Sequence, residues 1–128
     1  MKKFLKKAAS IIVLLMLAVG VLFLYLNRDQ KLDFASILPQ EIEHCGNTLG
    51  PEHTEYVELR VWFESNQGGW TNTPATYVPG STYTGSTISV NVLENGVIVN
   101  YKAKHNGWYQ VKRLKKSNEL SNTCKKNE

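Results

Sequence analysis

The chain has no acidic residue before Asp29, no proline before Pro39 and no cysteine before Cys45. What this N-terminal stretch does contain is an uncharged run at Ala8–Leu26, preceded by four lysines: Lys2, Lys3, Lys6 and Lys7. At a rise of ~1.5 Å per residue, a helix over this run would be about 28 Å long, close to the hydrocarbon thickness of a bilayer. The sequence therefore predicts a basic flank at residues 1–7 and a transmembrane helix at residues 8–26.

Positively charged flanks of a membrane helix tend to stay in the cytoplasm. The lysines therefore predict a single-pass protein of the inner (cytoplasmic) membrane, with a cytoplasmic N-terminus and a periplasmic or extracellular C-terminal part. A cleaved signal peptide is the main alternative, because Ala18-Val19-Gly20 loosely fits a cleavage site; a buried helix of a soluble protein is another. Cleavage there would leave the apolar Val21–Leu26 as a new N-terminus, which favours an uncleaved anchor.

Excess charge is missing from the rest of the chain. The net charge of +4 comes from 15 basic and 11 acidic residues, and it equals the charge of the four N-terminal lysines, so no nucleic-acid partner is expected. Acidic residues predominate from Asp29 to Glu94, and basic residues predominate from Lys102 to Lys126. This distribution favours ion pairs across neighbouring strands; the alternative is a bipolar surface that docks a partner or anionic lipid headgroups.

Cysteine is scarce, with Cys45 and Cys124 its two occurrences. Outside the cytoplasm an even pair favours a disulfide, here closing a loop of about 80 residues, which the chain-entropy model values at roughly 4 to 5 kcal/mol. A metal site built from His44, Cys45 and His53 is the alternative, but the spacing matches no usual ligand pattern and structural zinc needs four ligands. We therefore predict no metal and no cofactor.

Beyond the anchor, the hydrophobic pattern predicts a linker at residues 27–36 and an α+β domain at residues 37–128. A short helix is expected at Ser36–Gly46, with Pro39 in its first turn. An antiparallel meander of four to five strands should follow, with tight turns at Glu94-Asn95-Gly96 and His105-Asn106-Gly107. The strands are expected at Tyr56–Glu64, Ala75–Val78 (the least distinct), Ser86–Leu93, Val97–Lys104 and Trp108–Leu114.

Motifs for catalysis are missing: the chain has no phosphate-binding glycine loop, no Gly-x-Ser-x-Gly and no His-Glu-x-x-His. We therefore predict a protein that is not an enzyme and that contacts the lipid bilayer and another membrane or periplasmic protein. Trp62, Trp70 and Trp108 are the candidate binding surface, although tryptophans on strands are often core residues instead. Trp62 falls on the polar side of its predicted strand, so it would be either exposed or packed under the predicted helix.

The segments Tyr83–Val92 and Val97–Leu114 resemble the end of the cytochrome oxidase complex assembly protein one family. Leu49-Gly50 and Asn106-Gly107-Trp108 take the places of that family's Leu-Gly pair after a short helix and of its Asn-Gly-x-Trp-like end. The resemblance covers roughly residues 37–114, and the chain departs from it in its cysteines and in an insertion at residues 67–79. It implies a non-catalytic, membrane-anchored assembly factor for a respiratory complex, and it carries over no catalytic residue.

Type IV pilin-like subunits are a second resemblance, since they combine a basic leader, an apolar helix, a sheet and a C-terminal disulfide loop. They also need a leader-peptidase site followed by Phe and an acid. The run at residues 8–26 contains no Gly-Phe junction and no acidic residue. A pilin-like or inhibitor-type binding subunit is therefore the alternative function.

Overall fold

The computed structural model of the chain describes residues 1–78, 80–104 and 107–124. Its first element is a long helix, α1, at Lys2–Leu26, which buries none of its residues. The most apolar window of α1 has a mean hydropathy of 2.8, so the helix is long and apolar enough to cross a membrane, as a signal sequence near the N-terminus would also be. The predicted span at residues 8–26 is helical, and the lysines before it belong to the same helix.

The rest of the described chain is an α+β domain, as predicted, built from a short helix and an antiparallel sheet. Its elements are β1 at Ile42–His44, β2 at Asn47–Leu49, α2 at Thr54–Ser65, β3 at Thr71–Asn72, β4 at Ser81–Thr84, β5 at Ile88–Val92, β6 at Gly96–Ala103 and β7 at Gly107–Leu114. In the described residues the sheet has seven strands, in the order β2-β1-β4-β5-β6-β7-β3, rather than the predicted four or five.

The three strands with the clearest period of two, β5, β6 and β7, lie where the sequence predicts them and pair antiparallel. The tight turn between β5 and β6 is also confirmed, since the N–H of Leu93 donates to the carbonyl of Gly96. The second predicted turn includes His105 and Asn106, which lie outside the described residues. The tentative strand at Ala75–Val78 is wrong, because this segment is irregular and the pairing residues are those of β3 and β4.

The predicted strand at Tyr56–Glu64 is wrong, because these residues form α2. Alternating apolar residues predicted a strand, but the residues that α2 buries are Tyr56, Leu59, Trp62 and Phe63, which recur at helical spacing. Val57 and Val61, assigned to the buried face of the strand, are exposed instead. The segment thus satisfies both periods, and packing against the sheet selects the helix.

The predicted helix at Ser36–Gly46 is also wrong. A single 3-10 turn at Ala35–Ile37 precedes a β-hairpin in which β1 and β2 pair directly, with His44 opposite Asn47. Cys45 and Gly46 form the two-residue connection, with φ of +52° and +79°. A two-residue hairpin with a type I′ turn has positive φ at both positions, which glycine adopts freely and which costs a residue such as Cys45 about 1 to 2 kcal/mol.

One core lies between α2 and the inner face of the sheet. Residues with inward side chains alternate along the central strands, and Val90, Val99 and Val111 sit opposite one another across β5, β6 and β7. Phe34, from the chain before the 3-10 turn, joins the same buried cluster. The core is therefore closed partly by the segment that follows α1, and this positions the domain relative to that helix.

Candidate binding surfaces

The three tryptophans do not form one binding surface, so that prediction is wrong for Trp62 and Trp70. Trp62 is 7% exposed and Trp70 is fully buried, and both belong to the core. Because Trp62 lies on a helix rather than a strand, it turns toward the sheet and its indole N–H donates to Glu119. Trp108 is 58% exposed on β7, so it is the one of the three that is available to a partner.

The segment predicted as a linker, residues 27–36, is part of the domain from Gln30 onward. The N–H of Gln30 donates to the carbonyl of Trp70 at 2.7 Å, and the N–H of Trp70 donates back to Gln30 at 3.2 Å. The N–H of Leu32 donates to Gln67 at 2.7 Å. Since α1 ends at Leu26, few residues separate the helix from this pairing, and the domain has little freedom to move away from the helix end.

A first groove lies where α1 meets the domain, and we call it the helix-end groove. It has a volume of about 490 Å³. Its lining residues are Leu26, Asn27, Asn72, Thr73, Pro74, Trp108, Tyr109 and Gln110. Tyr109 is 48% exposed, so this groove carries two exposed aromatic side chains, Trp108 and Tyr109. Sequence reasoning named Trp108 as one of three candidate tryptophans and missed Tyr109.

A second groove, the β7 groove, has a volume of about 600 Å³ and is mainly apolar. Its lining residues are Asp29, Gly69, Thr71, Tyr77, Leu93, Glu94, Asn95, Gly96, Ile98, Lys112, Arg113 and Leu114. Leu114 is 80% exposed and apolar. The other residues on the same face of β7, Trp108, Gln110 and Lys112, are polar or amphipathic. Single exposed apolar residues are common on protein surfaces, so Leu114 alone did not mark this groove in the sequence.

Charge is distributed over these surfaces without the predicted cross-strand ion pairs. Among the described residues, Arg60 and Glu64, inside α2, form an ion pair within 4 Å, and Nδ1 of His53 lies 3.3 Å from a carboxylate oxygen of Glu52. Strands β6 and β7 both carry lysines, and they pair with each other. In this pairing Lys102 lies opposite Trp108, and Lys112 lies opposite Ile98. The basic half of the chain therefore forms a basic surface along these two strands.

The predicted disulfide between Cys45 and Cys124 is present, with Cα atoms 5.5 Å apart, and fits an oxidising compartment. It ties the C-terminal tail to the β1–β2 turn. The tail is also held by the Ser81 hydroxyl, which donates to the carbonyl of Ser121 at 3.0 Å, and by Leu120, which packs on the core. This tail closes one edge of the domain over His44.

His44 has structural partners on every side. Its Nδ1 donates to the carbonyl of Thr82 at 3.1 Å, its ring stacks on Tyr83 at 3.7 Å, and its Nε2 is 3.3 Å from Sγ of Cys45. Because the Cys45 sulfur is bonded to Cys124, it is not available as a thiolate ligand with His44 and His53. Nδ1 of His53 accepts from the N–H of Gly50.

A small polar cavity of about 90 Å³ beside His44 is lined by Glu55, Glu58 and Tyr83 among others. Burial, with a contribution from Glu55 and Glu58, raises the pKa of Tyr83 to about 12, so its hydroxyl stays neutral across physiological pH. The indole N–H of Trp62 lowers the pKa of the Glu119 carboxyl and keeps it charged. Ser121 and Thr123 also line the cavity, and among the described residues their hydroxyls hydrogen-bond to each other and to the backbone rather than to His44, Glu55 or Glu58.

Comparison of the chain with protein-family models, with curated proteins and with solved structures finds no match. The function must therefore be inferred from the two grooves, the basic strands and the helix that precedes them. The Leu49-Gly50 pair ends β2 and comes before α2, whereas the family resemblance places a short helix ahead of this pair.

Proposed function

We propose that the protein is a single-pass membrane protein that acts without catalysis, by binding another membrane or periplasmic protein. In this proposal α1 spans the inner membrane, the lysines stay in the cytoplasm, and the domain lies in the periplasm or outside the cell. The positive N-terminal flank supports this orientation. The Cys45–Cys124 disulfide supports it as well, because disulfides persist in oxidising compartments.

The observation that carries the binding role is the β7 groove. Leu114 is 80% exposed in a groove that is also lined by the half-buried Leu93 and Tyr77 and by the buried Ile98, and together these residues give a partner an apolar surface to cover. Lys112 and Arg113 stand at its edge, and the buried Nε–H of Arg113 has no hydrogen-bond acceptor among the described residues. A partner segment that combines an apolar side chain with a carboxylate would cover the leucine and pair with the exposed Lys112.

Assembly of a respiratory complex is the specific role that we propose, on the strength of the sequence resemblance at residues 83–114. An assembly factor of this kind needs an anchor that keeps it beside membrane subunits and a surface that binds them. A pilin-like or inhibitor-type subunit remains the alternative, and the identity of the bound partner separates the two.

Membrane retention is the first expected result. We expect the full 14.5 kDa chain to remain in membranes washed with alkaline carbonate, and protease added outside spheroplasts to digest the domain. Intact-mass spectrometry of the washed membranes measures the first, and immunoblotting of the treated spheroplasts measures the second. A mature chain that starts beyond Leu26, or a domain that external protease cannot reach, contradicts the proposed anchoring.

Partner binding through the β7 groove is the second expected result. The substitution Leu114→Ser should reduce recovery of the co-purifying partner about tenfold, since an exposed apolar side chain at the centre of an interface contributes roughly 1 to 2 kcal/mol. The measurement is quantitative mass spectrometry of proteins that co-purify with the full chain from detergent-solubilised membranes. Respiratory oxidase subunits would support the assembly role, and filament components would support the pilin-like alternative.

Val61→Ser is the matched control, because Val61 is an exposed apolar residue on α2, away from the groove. Neither substitution should change the free energy of unfolding by more than about 0.5 kcal/mol, since both side chains are exposed. Equal recovery of the same proteins with the wild-type chain and with both variants would show that the β7 groove does not bind the partner.

A further inference from the structure

Trp108 and Tyr109 are the exposed aromatic side chains of the domain among the described residues. They are adjacent on β7, so their side chains leave opposite faces of the strand, and Tyr109 stacks on Tyr101 at 5.8 Å; at this end of the sheet both line the helix-end groove. Two large aromatic side chains exposed next to each other indicate a contact surface, because burying them against a partner would be favourable.

Their place in the molecule fixes their depth relative to a membrane. The helix-end groove is shared with Leu26 and Asn27, so the aromatic pair lies level with the last residues of α1. If α1 spans the bilayer, Leu26 lies at the boundary between hydrocarbon and headgroups. Tryptophan and tyrosine favour this boundary, where the ring sits in apolar surroundings while its N–H or O–H bonds to water or headgroups.

The domain cannot easily rotate this surface away from the bilayer. The paired backbones of Gln30 and Trp70 hold the chain shortly after α1 ends, and the Gln30 side chain donates to Asn72 at 3.0 Å. Asn72 is itself part of β3, which pairs with β7. The strand that carries the aromatic pair is therefore connected to α1 through two successive sets of hydrogen bonds.

Charge on the same end of the domain favours anionic headgroups. Lys102 lies directly across from Trp108, Lys104 follows it beyond the end of β6, and both are exposed. Arg28 lies over the ring of Tyr25 at the end of α1, with its guanidinium carbon 4.6 Å from the ring centroid. Within the described residues none of these three cations is in an ion pair, and lysines and arginines near a membrane are attracted by acidic lipids.

We propose that this end of the domain is a lipid-contact surface. Trp108 and Tyr109 rest in the headgroup region of the leaflet into which α1 emerges, and Lys102, Lys104 and Arg28 bind anionic headgroups there. This inference rests on the proposed anchoring of α1. It adds that the domain lies against the bilayer in one orientation and presents the β7 groove to partners beside the membrane.

The test uses the full chain in lipid nanodiscs that contain a small fraction of headgroup-nitroxide lipid. The nanodiscs are either zwitterionic or contain about 30% phosphatidylglycerol, a typical anionic content for such experiments. Trp62 and Trp70 are buried, so the quenching that Trp108→Phe removes is the signal of Trp108. We expect Trp108 to be quenched by the nitroxide lipid and shielded from acrylamide in the water.

The lysines provide the second measurement. Anionic lipid should increase the quenching of Trp108 about twofold, and Lys102→Gln combined with Lys104→Gln should abolish this increase. Lys112→Gln is the matched control, because Lys112 is an exposed lysine of β7 that lines the β7 groove instead. The control should quench like the wild-type chain in both kinds of nanodisc.

Failure of the anchoring, of the lipid-contact surface and of the role of the lysines give three different results. A chain that does not stay with the nanodiscs overturns the anchoring itself. A chain that stays, with Trp108 open to acrylamide and insensitive to the nitroxide lipid, overturns the lipid-contact surface and leaves the anchoring intact. Quenching of Trp108 that is equal in zwitterionic and anionic nanodiscs overturns the role of the lysines.

Discussion

Replacing both cysteines by serine, Cys45→Ser with Cys124→Ser, is expected to lower the free energy of unfolding by about 4 to 5 kcal/mol. The two residues are 79 positions apart, so the disulfide restricts the unfolded chain over almost the whole domain. A small domain has roughly 5 to 15 kcal/mol of stability in total, so this loss is a large share of it. Urea unfolding of the full chain in detergent, followed by near-ultraviolet circular dichroism, measures the change.

Ser81→Ala is the comparison for that experiment, since it removes a hydrogen bond from the same tail and leaves the disulfide. It should cost only about 1 kcal/mol. In the cysteine variant the tail after Lys115 should also become sensitive to trypsin at native conditions, because it is then held by the Ser81–Ser121 and Trp62–Glu119 hydrogen bonds and the Leu120 contact without a covalent link. A stability change below about 1 kcal/mol would mean that the tail is held mainly by these other contacts.

Prediction from the sequence is most reliable where the hydrophobic period of a segment and its tertiary pairing indicate the same structure. Strands β5 to β7 alternate cleanly around valines, and a polar turn after Leu93 separates β5 from β6, so local pattern and tertiary pairing give the same answer. The uncharged run that became α1 and the cysteine pair are predictable for the same reason. A long apolar run and an even pair of cysteines leave few structural alternatives.

Prediction from the sequence fails where the strand period and the helix period fit the same residues. It also fails where a strand of three residues is too short to show a period. Leu59 and Phe63 are inward residues in both the strand and the helix interpretation of α2, so periodicity cannot choose between them. The β1–β2 hairpin is too short to show a period, and its turn depends on positive φ at Cys45, a residue with no such preference. Contacts with the sheet and the disulfide decide both cases.

The candidate surfaces also include residues that the sequence could predict and residues that it could not. Trp108 could be chosen from the sequence because it sits beside a turn on a polar face, whereas Tyr109 and Leu114 required the register of β7 and the position of α1. The packing of Gln30 and Phe34 could not be predicted, since a polar segment after a membrane helix is typical of a linker. This packing nevertheless sets where the two grooves lie relative to α1.

The domain and the membrane helix therefore act as one unit in the proposed function. The helix-end groove lies against α1, while the β7 groove extends along the same strand toward Leu114, at the far end of β7 from Trp108. A partner that reaches Leu114 would approach along the bilayer surface. This geometry is useful to a protein that binds membrane subunits, because anchoring confines both molecules to the same layer and raises their effective concentration.

Phe34→Ala is expected to have the other large effect, lowering the free energy of unfolding by about 3 to 5 kcal/mol. Phe34 is 1% exposed, and its ring packs on Trp70 at 4.9 Å, Tyr101 at 5.2 Å and Phe63 at 5.4 Å. It thereby joins the segment after α1 to α2 and to β6. Because the surrounding rings belong to three different elements, the cavity left by alanine cannot close without moving them.

The same substitution should loosen the domain from α1. We expect Lys31 to be cut faster by trypsin in the Phe34→Ala variant in nanodiscs, and the lipid quenching of Trp108 to fall with it. Ile37→Ala is the matched control, since Ile37 is 45% exposed three residues further on and should change stability by about 0.5 kcal/mol or less. If Phe34→Ala lowers stability but leaves both the cleavage at Lys31 and the quenching of Trp108 unchanged, then the backbone pairing of Gln30 with Trp70 alone holds the domain to the helix, and the aromatic cluster serves only the core.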